Sequence, residues 1–584
     1  MRVLPTSTVT LPLRLLACAC VTWVSIAWTV TARAADNSAR PAHGLIVQLK
    51  DASPHHNALA TLEDERLRRV LGAAGVAAAH SRPLGRAAHR LDFGRVLGSD
   101  EAGALAAQLR SHPEVEWVVA NERERRLVTP SDTLFPATPT TTGQWWLFGV
   151  SGSNSNALTD RLRGVPGFQS AWGTTTGNAA AIVAVLDTGI TAHPDLDAHV
   201  LPGYDFVSTV EFANDGNGRD ADPSDPGDWV TQADKNNNPT LFGSCDVANS
   251  SWHGTDIAGI VAAVTDNAFG VAGINWNGRV LPVRVAGKCG AEVADIVDGM
   301  YWAAGLPVSG VPINPNPARV VNISFGGDAA CNAAYQTAIN DLAAQGVVVV
   351  AAAGNEHGSV ARPANCSGVV AVAALNRDGF KATYSNFGAQ ITLATVGGDY
   401  RGDGAWGSLL GDDGLLILDN GGTTSPGSPT YSRVFGSSFS APIVAGAVSL
   451  MLSANPNLSV TQIVSGLRIS ARPHVTSPKI GACSAQNPGR CICSTATCGA
   501  GILDATQAVL YALNPSSYVA PAQSPAVIDN ADVDAAVALG NDLPPNATTS
   551  GGGSTGGGGG GALDLSWLLA LAIAVRFVAR EGGR

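Results

Sequence analysis

Positive charge is scarce in this 584-residue chain: Lys and Arg number 36 against 47 Asp and Glu, and charged residues of either sign make up only 14%. The shortage is uneven. Residues 1–128 hold 16 Lys+Arg against 12 Asp+Glu, a net +4, whereas residues 129–555 hold 17 against 33, a net −16. So acidic a main region lacks the basic field that phosphates require, which argues against a nucleic-acid partner. No histidine stands within the cysteine-rich stretch 483–498, so zinc there would rest on thiolates alone. No glutamate closes the acidic run 214–228, which excludes an EF-hand loop. Near the C-terminus the apolar run 565–575 falls short of the roughly 20 residues that a spanning helix needs.

What the chain does have is three segments that end in chemistry. In Gly436-Ser437-Ser438-Phe439-Ser440-Ala441-Pro442 a serine stands just ahead of a proline and an apolar helical run. Such a serine sits at a helix N-terminus, where backbone N–H groups have no intrahelical partner and the dipole favours an anion. The run 179–189 is continuously apolar until Asp187-Thr188-Gly189, the pattern of a strand buried on both faces of a parallel sheet. Sites in open α/β folds lie at the C-terminal ends of such strands. His253 opens a third segment, 253–263, whose apolar positions recur at helical spacing. Taken singly, Asp187 reads as a turn former, His253 as a helix cap and Asn355 as a turn residue after a strand. Together and in this order they specify more.

In that order and context the chain resembles the subtilisin-like serine proteases, the subtilases, over roughly residues 130–515. The segment Gly354-Asn355-Glu356, after the apolar run 346–353, resembles the family's oxyanion segment, and 321–327 resembles its substrate-pairing strand. The resemblance implies an α/β fold of three layers around a mostly parallel sheet. It also implies roles. Ser438 is the nucleophile, His253 the general base and acid, Asp187 the residue orienting the imidazole, and Asn355 an oxyanion donor beside the Ser438 N–H. Ser324, Phe325, Gly326, Ala352 and Gly354 would line the main specificity pocket, with Glu356 at its rim. The chain departs from the family pattern in places. Asp256 replaces the second histidine of the helix motif and Ile257 a valine, Ser437 and Phe439 replace Thr and Met, and the stretch ending in Asp399 replaces an Ala-Ala-Pro-Gly run. None is a triad member, although Asp256 raises the polarity behind His253.

The rest of the chain reads as processing and anchoring. Arg2 and Arg14, an apolar stretch at 15–30 and Ala32-Arg33-Ala34 form a secretory signal peptide over 1–34. Residues 35–128 read as a small α/β propeptide, with strand patterns at 44–50 and 115–120 and helical ones at 62–71 and 102–109. By the family resemblance this segment assists folding and then inhibits intramolecularly through its tail, 121–128. The catalytic domain spans 129–515, a flexible linker 516–555, and a glycine-rich, hydrophobic, basic tail 556–584. That tail resembles the GlyGly-CTERM sorting signal of Gram-negative surface proteins, which implies transient membrane anchoring and a rhomboid-type sorting protease as partner. A permanent single-pass anchor is the competing reading.

Ten cysteines are present, and Cys18 and Cys20 leave with the signal peptide. Eight in an exported chain imply disulfides. Resemblance to related bacterial proteases pairs Cys245 with Cys289 and Cys331 with Cys366. Cys483, Cys491, Cys493 and Cys498 leave three connectivities open, of which one joining Cys491 to Cys493 would be strained. Calcium is the expected cofactor, in a structural role. Asp195 and Asp266 match positions of the family's tight site. The insertion 214–228 crowds Asp215, Asp220, Asp222, Asp225 and Asp228 together, which suits either a cation or a solvated acidic loop. The reading is a monomeric, exported endopeptidase acting on proteins or peptides at the cell surface or outside a Gram-negative cell. A silent calcium-dependent adhesin and a narrow processing protease are the alternatives.

Overall fold

Alternating apolar positions build a small sheet at the N-terminal end of the described chain. In the computed structural model, residues 42–538 are described apart from 51–59, 85–87, 122–127, 137, 140–142, 152–160, 400–405 and 407–411. The expected signal peptide, most of the inhibitory tail 121–128, the end of the expected linker and the sorting tail lie outside the described residues. The small sheet contains β1 (Leu45–Leu49), β2 (His80–Pro83), β3 (Ala88–Asp92) and β4 (Val115–Ala120), in the order β2-β3-β1-β4. Helices α1 (Ala60–Ala74) and α2 (Ser99–Arg110) belong to the same unit. Leu45, Val47, Leu67, Val70, Leu109 and Val118 form its separate core. The β2–β3 hairpin is invisible to hydrophobic periodicity because every residue of β2 is exposed.

Valine-rich runs then form a seven-stranded sheet. Its strands are β5 (Ile182–Asp187), β6 (Tyr204–Asp205), β7 (Arg279–Arg284), β8 (Val320–Ile323), β9 (Val348–Ala352), β10 (Val370–Leu375) and β11 (Leu393–Val396). The order is β11-β10-β9-β8-β5-β7-β6, and every pairing is parallel. Alternate side chains serve two cores. Val183, Val185, Val348 and Val350 face one cluster, with α3 (His253–Ala262) and α6 (Ser437–Ala454). Ala184, Leu186, Val349 and Ala351 face the other, with α4 (Val293–Ala303) and α5 (Ala333–Ala344). A sheet covered on both faces cannot alternate polar with apolar, which is why these strands read as unbroken apolar runs. Helix α6 is apolar all round because it is buried nearly all round.

Ahead of α6 an antiparallel hairpin, β12 (Leu415–Asn420) with β13 (Pro429–Val434), delivers the chain to Gly436. Downstream run α7 (Val460–Ile469) and α8 (Ala505–Leu513). The expected linker then needs correction at its start. Residues 516–538 are docked rather than free: Tyr518 packs edge-on against Tyr511 at 5.5 Å, Thr476 bridges to Val527, and Ile528 is fully buried. Helix α9 (Ala531–Ala538) buries Val533 and Ala536 in the same core. A few well-placed apolar residues in a polar, Ala- and Pro-rich stretch escaped a reading by composition.

Four disulfides join Cys245 to Cys289, Cys331 to Cys366, Cys483 to Cys491 and Cys493 to Cys498. The last two select one of the three open connectivities. The sulfurs of Cys483, Cys493 and Cys498 lie within 4.8 Å of one another, but all are oxidised, which leaves no thiolate for zinc.

Candidate active site

Parallel strands end on one edge of the sheet, and that edge collects the polar side chains. Asp187 closes β5 and is buried; its Oδ1 accepts from its neighbour Thr188 N–H at 2.8 Å. The same oxygen lies 2.8 Å from Nδ1 of His253, the first residue of α3. An ionised carboxylate only accepts, so Nδ1 carries the proton and a neutral ring keeps Nε2 as its acceptor. Gly254 lets the helix start this close to the strand, because a Cβ there would meet the Gly189 carbonyl and the Asp187 side chain.

Ser438 is the second residue of α6. Four residues on stands Pro442, which has no N–H, so the Ser438 carbonyl loses its helical donor. Ser324 supplies the replacement: its Oγ donates to Ser438 O at 2.7 Å and accepts from Asn322 Nδ2 at 2.8 Å. Ser324 therefore braces the Ser438 turn from a buried position at the end of β8. Ser437 makes a second brace. Its N–H donates to Asn355 Oδ1 at 2.9 Å, and its Oγ accepts from Gly354 N and donates to Gly354 O. With Oδ1 of Asn355 so occupied, Nδ2 is the end left to meet an incoming oxygen. The rings of His253 and Phe439 lie 5.6 Å apart, so the two helix N-termini stand side by side. Neither Ser438 Oγ nor His253 Nε2 makes a hydrogen bond among the described residues.

Burial opposes charge on the His253 imidazole, but the charge and hydrogen bond of Asp187, helped by Asp228 and Asp225, raise its pKa above 6.5. Asp256, behind it on α3, is buried, and that burial with its neighbours Asp419, Asp187 and Asp225 pushes it well above the carboxylate range. Of the pocket residues, Ala352 ends β9 and is buried, while Phe325, Gly326 and Gly354 are half-buried. Gly326 abuts the Arg362 carbonyl, and Gly327 exchanges backbone hydrogen bonds with Arg362. Glu356 is tied inward, because its Oε2 accepts from Asn355 N–H at 2.8 Å and from Asn386 Nδ2 at 2.6 Å. Asn386, whose Oδ1 also accepts from Glu356 N and Gly358 N, is a brace of the oxyanion turn with no sequence signal of its own.

The acidic residues divide into two groups. In the insertion each carboxylate has its own partner. Asp215 pairs with Arg284, Asp220 accepts from Asn217 Nδ2 and Asp222 N–H, and Asp222 accepts from Ser224 N–H. Asp225 accepts from Thr188 Oγ1 at 2.7 Å, and Asp228 holds the N–H and hydroxyl of Ser251. Each carboxylate of the insertion is thus held within the protein, which supports the acidic-loop reading that the sequence left open beside a cation. These carboxylates serve turns, Arg284 and the flanks of Asp187 and His253, because Asp and Asn two residues before an N–H form Asx turns.

The other group, around loop 265–271, fits a cation better. Asp132, which no sequence pattern marked, is buried and its Oδ1 has no hydrogen-bond partner, while its Oδ2 accepts from Asp266 N–H. Burial first, then Asp195 and Asp266, raise its pKa to about 6. Asp195 accepts from Asn267 Nδ2 and Val271 N–H, and burial raises it too. No Lys or Arg pairs with these three among the described residues. An orphaned carboxyl oxygen amid uncompensated acids suits a hard cation with oxygen ligands.

Comparison with known proteins shows what this chain is similar to. The family model described as the subtilase family matches residues 178–486. An "Extracellular protease" of Xanthomonas campestris is 39% identical over 72% of this chain and 63% of its own length. An "Extracellular basic protease" of Dichelobacter nodosus is 35% identical over 71% of this chain and 64% of its own. The alignments thus span under two thirds of these curated relatives. Among solved structures, a protease of Pseudoalteromonas arctica is 40% identical, matches 66% of this chain and all of its own, and superposes with a TM-score of 0.56.

Proposed function

The chain belongs to the subtilase family, and on that premise we propose that it is an exported serine endopeptidase working through an acyl-enzyme. One observation carries the proposal: the 2.8 Å bond from His253 Nδ1 to Asp187, which leaves Nε2 to act as base beside the start of α6. Ser438 Oγ attacks the peptide carbonyl as Nε2 takes its proton, and the imidazolium is held by Asp187. The tetrahedral oxyanion is met by Asn355 Nδ2 and the first-turn N–H of Ser438. The imidazolium then gives its proton to the leaving amine, and water repeats the sequence on the ester. Phe325, Gly326, Ala352 and Gly354 receive the side chain ahead of the cleaved bond, with Ser324 as the brace beneath them.

Asp132, Asp195 and Asp266 would hold a structural calcium, which supplies charge compensation and no chemistry. Residues 35–128 act as an intramolecular inhibitor until removed, and 556–584 as a sorting tail that a rhomboid-type protease removes at the membrane. Export of relatives named extracellular proteases supports the first step of this route. Casein digestion by wild type and Ser438→Ala tests the whole reading. Wild type should cleave and the variant should not; equal inactivity of both would sink it.

A further inference from the structure

Four turns carrying the proposed chemistry use positive backbone angles, and three do so with glycine. Gly189 (φ 112°) follows Asp187-Thr188, Gly354 (φ 104°) precedes Asn355 and Gly436 (φ 152°) precedes Ser437. The fourth uses tryptophan. Trp252, directly ahead of His253, sits at φ 53° and ψ 21°. In that left-handed conformation Cβ crowds the following carbonyl, so a bulky side chain there is strained. Such strain persists only where the surroundings over-determine it, and it gathers at functional sites.

The surroundings are specific. The Trp252 side chain is buried, and its indole Nε1–H donates to the Gly422 carbonyl at 2.7 Å. Ser250 N–H donates to Thr423 O at 2.9 Å, and Ser250 Oγ donates to Thr424 O at 2.5 Å. Residues 250–252 are therefore zipped to the turn at the tip of the β12–β13 hairpin. On the other side the Trp252 carbonyl accepts from Thr255 N–H and Asp256 N–H, which starts α3. The stem of the same hairpin runs from Val434 into Gly436, Ser437 and Ser438. One hairpin thus feeds the nucleophile at its stem and grips the residue before the base at its tip. Since no hydrogen bond joins Ser438 Oγ to His253 Nε2, their separation is set by scaffold.

We propose that Trp252 is a positioning residue: its strained backbone and its indole anchor on Gly422 set the His253 imidazole against Ser438, with the hairpin as the coupling element. This rests on the reading of His253 as general base. The indole is neutral, so the Asp187–His253 pair and its electrostatics are untouched by its action.

The test is steady-state kinetics on a peptide substrate, normalised to titrated active sites, for Trp252→Phe and the milder Ser250→Ala. Phe keeps the bulk and the strained Cβ but removes the N–H that holds Gly422 O. The expected result is kcat about ten- to a hundredfold lower for Trp252→Phe, with KM within about twofold. The acid limb of the pH profile should stay where it is. Ser250→Ala, which keeps the indole anchor, should lose about two- to fivefold in kcat. Unchanged kcat per active site in both variants, even with a lower melting temperature, would reduce Trp252 to a packing residue and overturn the proposal. A displaced acid limb would overturn it too, by showing an electrostatic role. Wild type failing to cleave peptides would instead sink the endopeptidase reading, so the two failures are distinct.

Discussion

The backbone N–H of Ser437 donates to Asn355 Oδ1 at 2.9 Å, which ties the first turn of α6 to the turn after β9. Two segments over eighty residues apart are thereby fixed in one geometry, and the amide of Asn355 can point only one way. Asn355→Ala should lower kcat about 100- to 1000-fold with little change in KM, the range known from a subtilisin that loses its oxyanion asparagine. Asn355→Asp keeps the acceptor for Ser437 but replaces the donor with negative charge. It should be at least as slow as the alanine variant, and active enzyme at wild-type rate would contradict the assignment.

The raised pKa of His253 fixes the sense of the pH dependence. The base is needed neutral, so kcat/KM should climb through an acid limb lying above 6.5. Asp228 favours the imidazolium; Asp228→Asn should move that limb to lower pH. Folding shows the opposite sense. The protonated ring stabilises the native state fully below the ordinary histidine range, and that contribution is lost as pH rises through the raised native value. Chemical denaturation across this window, alongside the rate profile, checks both signs.

Calcium at Asp132 predicts a stability signature that activity assays would miss. With its pKa raised from 3.8 to about 6, Asp132 holds a proton in the native state that the unfolded chain has released. Stability without metal should therefore fall as pH rises across that interval and stay low above it. Chelation should lower the melting temperature more at neutral pH than near pH 5, and Asp132→Asn should shrink the difference. Equal melting curves with and without EDTA at neutral pH would count against the site.

The Cys331–Cys366 bond spans 35 residues of sequence and encloses Arg362, whose backbone pairs with Gly327 beside the pocket. Replacing both cysteines with serine should cost about 3 to 4 kcal/mol of stability from loop entropy. It should also raise KM more than it lowers kcat, because the pocket wall loosens while the Asp187–His253 pair stays. Urea unfolding and initial rates on one peptide substrate measure both.

The docked segment 516–538 makes truncation informative. Deleting residues 516–584 uncovers the surface beneath Ile528, Val533 and Ala536, and loss of Ile528 alone should cost about 1.5 to 3 kcal/mol. Deleting only 539–584 removes none of these contacts and should leave the melting temperature unchanged. Similar losses in both truncations would show that the docking contributes little.

How legible the molecule was in its sequence follows from what each signal depends on. Strands β5, β8, β9 and β10 were readable because burial on both faces forces unbroken apolar runs. Helices α3 and α6 were readable because each starts at a polar residue and continues at helical spacing. The β2 strand was not, since its residues face solvent, and α9 was not, since two buried side chains are too few to set a period. Asp132 and Asn386 carry no motif; only their partners mark them.

The sequence by itself determined the layered α/β architecture, because local patterns of hydrophobicity are properties of neighbouring residues, and motif resemblance singled out Asp187, His253, Ser438 and Asn355 as candidates. Tertiary structure alone decided how those side chains are held. The Ser324 hydroxyl on a carbonyl orphaned by Pro442, the strained Trp252 on the hairpin tip and the dispersal of the acidic insertion all depend on distances between remote segments. Hydrogen bonds and charges act over a few ångströms in space, and spacing along a chain does not record them.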